Sequence, residues 1–221
     1  MTDKVRVLIV GLGNMGLSHA KAYHALPGYE VVGLCSRNIA GMTSLPTELD
    51  AYAKFSDYTE ALAELKPDAV SINTYSDTHA DFAVQAFEAG AHVFLEKPIA
   101  ETLEDATRVV DTAKRLNKKL VVGYILRHHP SWTKLVEVAQ GLGKPLVMRM
   151  NLNQQSSGTT WETHKTLMKT MSPIVDCGVH YVDMMCLMAR AKPVKVHAMG
   201  VNLTPEIDPD MYNYGQLQVF F

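Results

Sequence analysis

From Val5 to about Tyr124, short and nearly continuous apolar runs alternate with longer segments whose apolar residues recur at helical spacing. Consecutive apolar positions predict strands covered on both faces, and their alternation with helices predicts successive βαβ units around a parallel sheet. Strands are expected at Val5–Val10, Glu30–Cys35, around Ala53–Phe55, at Asp68–Thr74, His92–Leu95 and Leu120–Tyr124. The intervening helices end at Pro27-Gly28, Lys66-Pro67 and Gly90, where helical backbone must stop. This is the pattern of an α/β, doubly wound dinucleotide-binding domain over residues 1–124.

After His128-His129-Pro130 the rhythm changes. One helix, a strand near Pro145–Leu152, a polar loop, a long helix from Pro173 and two further strands are expected, which makes a second, α+β domain over residues 125–221. Ser172 suits an N-cap and Pro173 the first helical position, where a missing N–H costs nothing. Met168, Met171, Met184, Met185 and Met188 are read as core filler. The stretch Gln216–Phe221 reads as a strand ending on two aromatics without a turn, an apolar edge of the kind proteins avoid. The expectation is that the intact protein continues beyond Phe221; the alternative is a terminus docked under a neighbouring strand or subunit.

Composition narrows the function classes. At 221 residues with 47% hydrophobic content the chain can bury a substantial core. Its 21 basic and 23 acidic residues are mixed along the chain and leave a net charge of −2, so neither nucleic acid nor an anionic membrane is expected as a partner. No apolar stretch reaches the roughly 18 residues needed to span a bilayer, and the N-terminus enters a strand without a signal-like segment; the expected location is the cytoplasm. The three cysteines, Cys35, Cys177 and Cys186, form no C-x-x-C pair and are expected to be buried thiols.

Three short motifs carry the chemistry. Gly11-Leu12-Gly13-Asn14-Met15-Gly16 follows an apolar strand and opens a helix, the context in which G-x-G-x-x-G cradles a pyrophosphate on a helix N-terminus. The end of the second strand, where a carboxylate would bind the ribose of NAD, holds Ser36-Arg37-Asn38 instead. A hydroxyl and a guanidinium suit a 2′-phosphate, so NADP(H) is expected over NAD(H).

The second motif is Glu96-Lys97-Pro98, at the carboxyl end of the fifth strand, where open α/β sheets bind ligands. A lysine there can hydrogen-bond or protonate a substrate oxygen. The third is Asp176-Cys177-Gly178-Val179-His180, with Asp176 and His180 on one helix face. His180 suits proton transfer near neutral pH, and Asp176 can orient a hydroxyl or the imidazole. Gly178 is read as marking a close approach by another group, because glycine within a helix costs about 1 kcal/mol against alanine. A metal site built from Asp176, His180 and His164 lacks a recognised ligand spacing and is not expected. The polar loop Asn153–Trp161 offers amides, hydroxyls and one indole to a polyhydroxylated ligand, with Trp161 able to stack on a sugar ring.

Taken in order, these three motifs resemble the glucose-fructose oxidoreductase/inositol dehydrogenase family, also called Gfo/Idh/MocA. Further matches are Ser71-Ile72-Asn73-Thr74 with His79, and Gly123-Tyr124 with Arg127. The resemblance implies an N-terminal Rossmann domain and a C-terminal α+β domain with an open, mainly antiparallel sheet that builds dimers or tetramers. It implies oxidation or reduction of sugars, polyols or related carbonyl compounds with NAD or NADP. Carried over, Lys97 contacts the reacting oxygen, His180 is the general acid/base and Asp176 binds substrate or tunes His180. The implied cofactor set is Gly11, Leu12, Gly13, Asn14, Met15, Gly16, Ser36, Arg37, Asn73, Thr74, His79, Glu96 and Lys97; Tyr124, Trp161 and His164 are expected at the substrate. Two departures stand out: Tyr75 occupies a position where many members carry proline, and members have a longer second domain. The alternative to an enzyme is a non-catalytic cofactor or metabolite sensor of the same fold.

Overall fold

The computed structural model describes residues 4–42, 45–153 and 155–221. The chain divides into two compact units at Gly123/Tyr124. In the first, six parallel strands, β1 (Val5–Val10), β2 (Tyr29–Cys35), β3 (Lys54–Phe55), β4 (Ala69–Ile72), β5 (His92–Leu95) and β6 (Leu120–Val122), form one sheet in the order β3-β2-β1-β4-β5-β6. Helices α1 (Asn14–Ala25), α2 (Tyr58–Leu65), α3 (His79–Glu88) and α4 (Leu103–Arg115) connect them. This is a doubly wound Rossmann sheet.

Two apolar clusters, one on each face of the sheet, account for the continuous apolar runs. Val7 and Ile9 pack with Ala20, Leu34 and Leu49, whereas Leu8 and Val10 pack with Val70, Ile72, Phe87 and Leu95. Successive β1 side chains thus enter opposite cores, as the period of a strand requires. Local signals set the helix starts: Asp57 accepts from the Glu60 N–H, and Thr102 from the Asp105 N–H. The strands are shorter than expected where polar groups take over. β4 ends at Ile72, after which the Asn73 side chain turns back to the Ser71 carbonyl, and β6 ends at Val122, opposite Leu95.

The second unit holds α5 (Pro130–Gly141), α6 (Gly158–Leu167), α7 (Val179–Ala189) and an antiparallel pair, β7 (Lys195–Val201) with β8 (Tyr214–Phe220). Ala139, Met184 and Met188 centre its core, with Trp132, Val136 and Leu187 around them. Met184 and Met188 of α7 fill that core as expected, whereas Met185 is half-buried outside it.

Three expectations need correction. The segment 145–152 forms no strand among the described residues. Its alternation is real, since Leu146, Met148 and Met150 pack on the Ala139–Met184 core while Val147 is 92% exposed, but no described strand hydrogen-bonds to it. The polar loop expected over Asn153–Trp161 is half helix, because α6 begins at Gly158. The long helix does start at Pro173, with Ser172 Oγ accepting from the Val175 N–H at 3.2 Å, but its first turn, Ile174–Gly178, is a π-turn that precedes α7.

Candidate active site

The carboxyl ends of β1, β4 and β5, neighbours in the sheet, carry the candidate residues of the first unit. Gly11 turns the chain at φ +82, and a Cβ there would lie 2.6 Å from the Asn73 carbonyl oxygen; a Cβ at Gly16 would lie 1.8 Å from the Gly11 oxygen. The protein's own packing demands both glycines. Gly13 differs, because nothing lies within 4 Å of where its Cβ would be. Leu12 is buried beneath the turn, while Asn14 and Met15 are exposed. Gly13 caps α1, and the first turn contains no acidic residue. Free backbone N–H groups at that end face open space fit for an anion.

Around this turn the polar residues are tied down. The Asn73 amide nitrogen donates to the Ser71 carbonyl at 3.0 Å, and Thr78 Oγ1 donates to Thr74 Oγ1 at 2.7 Å. His79 is buried, with Nδ1 2.6 Å from the Pro98 carbonyl and Nε2 3.1 Å from the Thr74 carbonyl. Burial pushes its pKa below the ordinary 6.5, against the pull of those two carbonyls and of the Glu96 and Asp77 charges. Glu96 is 7% exposed; Oε1 lies 3.0 Å from His19 Nε2, and Oε2 accepts the Lys97 backbone N–H at 3.2 Å. Burial raises its carboxyl pKa, but the His19 hydrogen bond and charge, with the N–H and charge of Lys97, more than offset it and leave the group below the usual carboxylate value. Lys97 is half-buried at the strand end. Beyond β2, the Ser36 N–H donates to the Phe55 carbonyl at 3.0 Å, and Arg37 is exposed.

In the second unit, Asp176 lies in the π-turn and His180 in the first turn of α7, both half-buried. The atoms nearest to a Cβ placed at Gly178 belong to Ile174, at 3.4 Å, and Pro173, within the same turn. The Tyr124 ring meets His180 edge-on at 6.3 Å between centroids, and Arg127 lies over Tyr124 at 5.4 Å. Arg127 donates to both carboxylate oxygens of Asp183, Nε to Oδ2 at 2.7 Å and Nη2 to Oδ1. That pairing raises the guanidinium pKa, and burial followed by the Asp183 charge raises that of Tyr124. On α6, Trp161 Nε1 donates to Glu206 at 2.9 Å beneath Lys165, and His164 Nδ1 lies 3.0 Å from Ser156 Oγ.

The profile of the oxidoreductase family with an NAD-binding Rossmann fold matches residues 5–124, and the GFO/IDH/MocA C-terminal domain matches residues 134–219. The chain belongs to the Gfo/Idh/MocA family. Inositol 2-dehydrogenase of Salmonella typhimurium is 29% identical over 199 residues, covering 86% of this chain and 56% of that protein. UDP-N-acetylglucosamine 3-dehydrogenase of Acidithiobacillus ferrooxidans is 30% identical over 197 residues, covering 89% and 58%. Among solved structures, scyllo-inositol dehydrogenase from Lactobacillus casei with bound NAD(H) and scyllo-inositol superposes with a TM-score of 0.70 at 21% identity, covering 90% of this chain and 60% of that one. The chain spans little more than half the length of the curated relatives it matches.

Within this Gfo/Idh/MocA chain, the residues fit a dinucleotide on the evidence of Gly13. It is the glycine of the motif that no protein atom explains, at the end of α1 where a pyrophosphate needs close backbone approach. His19 and Asp183 were missed by sequence reasoning. His19 did leave a signal, since it interrupts the inner helix stripe Gly16, Ala20, Tyr23 with a polar group that needs a partner. No helix among the described residues is long and apolar enough to cross a membrane.

The two glycines separate under substitution. Gly16→Ala is expected to destabilise the first unit by several kcal/mol in urea unfolding, because a methyl 1.8 Å from a backbone oxygen cannot be accommodated. Gly13→Ala is expected to stay within about 1 kcal/mol of the parent stability while weakening NADH and NADPH binding at least tenfold by fluorescence titration.

The lowered pKa of His79 implies a pH dependence. The unfolded chain binds the proton first, so the stability from the neutral buried ring is complete above pH 6.5 and is lost as pH falls below it. Urea midpoints measured between pH 7.5 and 5 should decline, and His79→Gln should flatten that decline while lowering the midpoint at pH 7.5.

Proposed function

We propose that this chain carries the cofactor-binding and reacting groups of an NAD(P)-dependent oxidoreductase acting on a CH–OH or C=O group of a sugar, polyol or related compound. The observation that carries the reading is the shared edge: the Gly13 turn after β1 and Lys97 after β5 stand at the carboxyl ends of strands separated only by β4. At about 4.8 Å per strand, that is a span of roughly 10 Å. A substrate set beside a nicotinamide fits such a span.

A bound nicotinamide supplies a hydride acceptor or donor. The protein's part is the proton and the geometry. In the oxidising direction His180 takes the hydroxyl proton and in the reducing direction returns it. Its Nδ1 is buried, so Nε2 is the nitrogen assigned to that exchange. Lys97 is assigned a hydrogen bond to the reacting oxygen, where it stabilises developing negative charge. Asp176, one helical turn before His180, orients the substrate or the ring. Residues 1–124 are assigned to the dinucleotide and residues 125–221 to substrate and self-association. Tyr124 contributes to the substrate side, as do Trp161 and His164. Exposed Val196 and Met199 on β7 support assembly as a homodimer or homotetramer through this sheet.

The cofactor preference follows from the second strand. No carboxylate stands at Ser36-Arg37-Asn38 to repel a 2′-phosphate, and exposed Arg37 is free to pair with one, which favours NADP(H).

Screening polyols and aldoses at 340 nm with each cofactor is the test of the activity. Lys97→Ala and His180→Ala should each lower kcat at least 1,000-fold, the scale of lost acid/base and electrostatic assistance, with nicotinamide binding retained. Near-normal turnover in both variants would end the assignment of roles, and tight cofactor binding with no turnover by any variant or parent would replace the enzyme with a sensor.

For the cofactor, the parent should bind NADPH at least tenfold more tightly than NADH, and Arg37→Ala should bring the two dissociation constants together. Equal affinities in the parent would refute the preference.

A further inference from the structure

We infer that His19 and Glu96 form a positioning pair that fixes the backbone of Lys97 to the cofactor helix α1. The inference rests on the role of Lys97 proposed above and concerns two residues that act through it.

The geometry is specific. The Glu96 carboxylate is buried at the meeting of three elements: β5, which it directly follows; α1, from which His19 reaches it at 3.0 Å; and the end of β6, where Gly123 leaves room for it. A Cβ at Gly123 would lie 3.0 Å from Oε2 and 3.3 Å from Oε1, so any side chain there would push the carboxylate by a few tenths of an ångström. Oε2 then accepts the backbone N–H of Lys97 itself. The His19 ring also packs, tilted by 48°, against Phe94 at 4.8 Å between centroids. His19 also lies one helical turn after Gly16. One carboxylate therefore joins the helix that receives the pyrophosphate to the residue that meets the reacting oxygen.

The chemistry of the pair explains its composition. An ionised carboxylate is acceptor only, so both of its contacts receive hydrogens: His19 donates from Nε2 and Lys97 from its amide. Glutamine can keep both contacts, accepting from the Lys97 amide through its oxygen and donating to a neutral His19 through its nitrogen. Alanine keeps neither.

The test compares Glu96→Ala, Glu96→Gln, His19→Ala and Lys97→Ala in the full chain, with two readouts. The first is the 340 nm assay with the polyols and aldoses of the screen; the second is hydrogen exchange resolved at the Lys97 amide, which needs no substrate. Glu96→Ala and His19→Ala should lower kcat by about 100-fold, the scale of a misplacement near 1 Å, with KM for the polyol or aldose within threefold of the parent. Glu96→Gln should recover most of kcat. Adding Glu96→Ala to Lys97→Ala should cost nothing further, since the pair acts through that lysine.

In the exchange experiment, the Lys97 amide should lose at least tenfold protection in Glu96→Ala, and in His19→Ala should Glu96→Ala not fold, while Val93–Leu95 stay unchanged. If Lys97→Ala abolishes turnover but the pair's variants leave kcat and Lys97 exchange unchanged, the inference is wrong and the role of Lys97 stands. If Lys97→Ala itself is harmless, the proposed function fails, and exchange alone decides whether the pair pins the backbone. Faster exchange spread evenly over β4 and β5 would show a pair that serves only stability and would overturn the inference.

Discussion

The pairing of β1 with β2 on one side and β4 on the other is the constraint on which the first unit depends. The chain leaves β1 toward β2 through α1 and returns on the far side to β4, so the connections diverge at the carboxyl edge and open a crevice there. Everything assigned a chemical part in that unit stands at this edge. The Gly11–Gly16 turn fits because two of its glycines lie against backbone, Gly11 on Asn73 and Gly16 on Gly11, and that packing leaves Gly13 facing outward. A turn so tightly closed presents its free N–H groups in a fixed direction, which spares a bound anion much of the ordering cost of binding.

Most of this unit was legible because its signals are local. Strands buried on both faces announce themselves as apolar runs, and G-x-G-x-x-G between a strand and a helix leaves little freedom in how the backbone proceeds. The second unit was less legible, for physical reasons that its residues display. Leu146, Met148 and Met150 have the period of a strand, yet a strand also needs a hydrogen-bonded neighbour, which periodicity does not report. Helix α6 was hidden by its threonines, which read as loop composition. In the folded chain Thr163 and Thr166 turn their hydroxyls onto the carbonyls of Thr159 and Glu162, and Lys165 pairs with Glu162. Those bonds satisfy side chains that would otherwise compete with the helix.

Long-range polar pairs were the least legible of all. His19 and Glu96 are 77 residues apart, and Arg127 and Asp183 are 56 apart. Each is a polar residue in an apolar setting that predicts some partner without naming it. The two pairs play similar parts in their own units. Arg127, held by Asp183, backs the Tyr124 ring, which in turn meets the edge of His180. A ring packed between a cation and a histidine has few rotamers left, so the imidazole it touches is restrained as well.

Stability alone does not account for a buried carboxylate beside Lys97. Desolvating a charge costs several kcal/mol, and an ion pair in its place often gives no more net stability than apolar side chains of similar volume. The Glu96 carboxylate sits against Gly123 and the His19 side chain of α1. Apolar groups, however, could not accept the Lys97 amide. A carboxylate held from α1 converts the position of a helix into the position of a backbone amide six elements further along the chain. The net gain is direction rather than free energy, and direction is what a lysine must have if it is to meet one oxygen of a substrate.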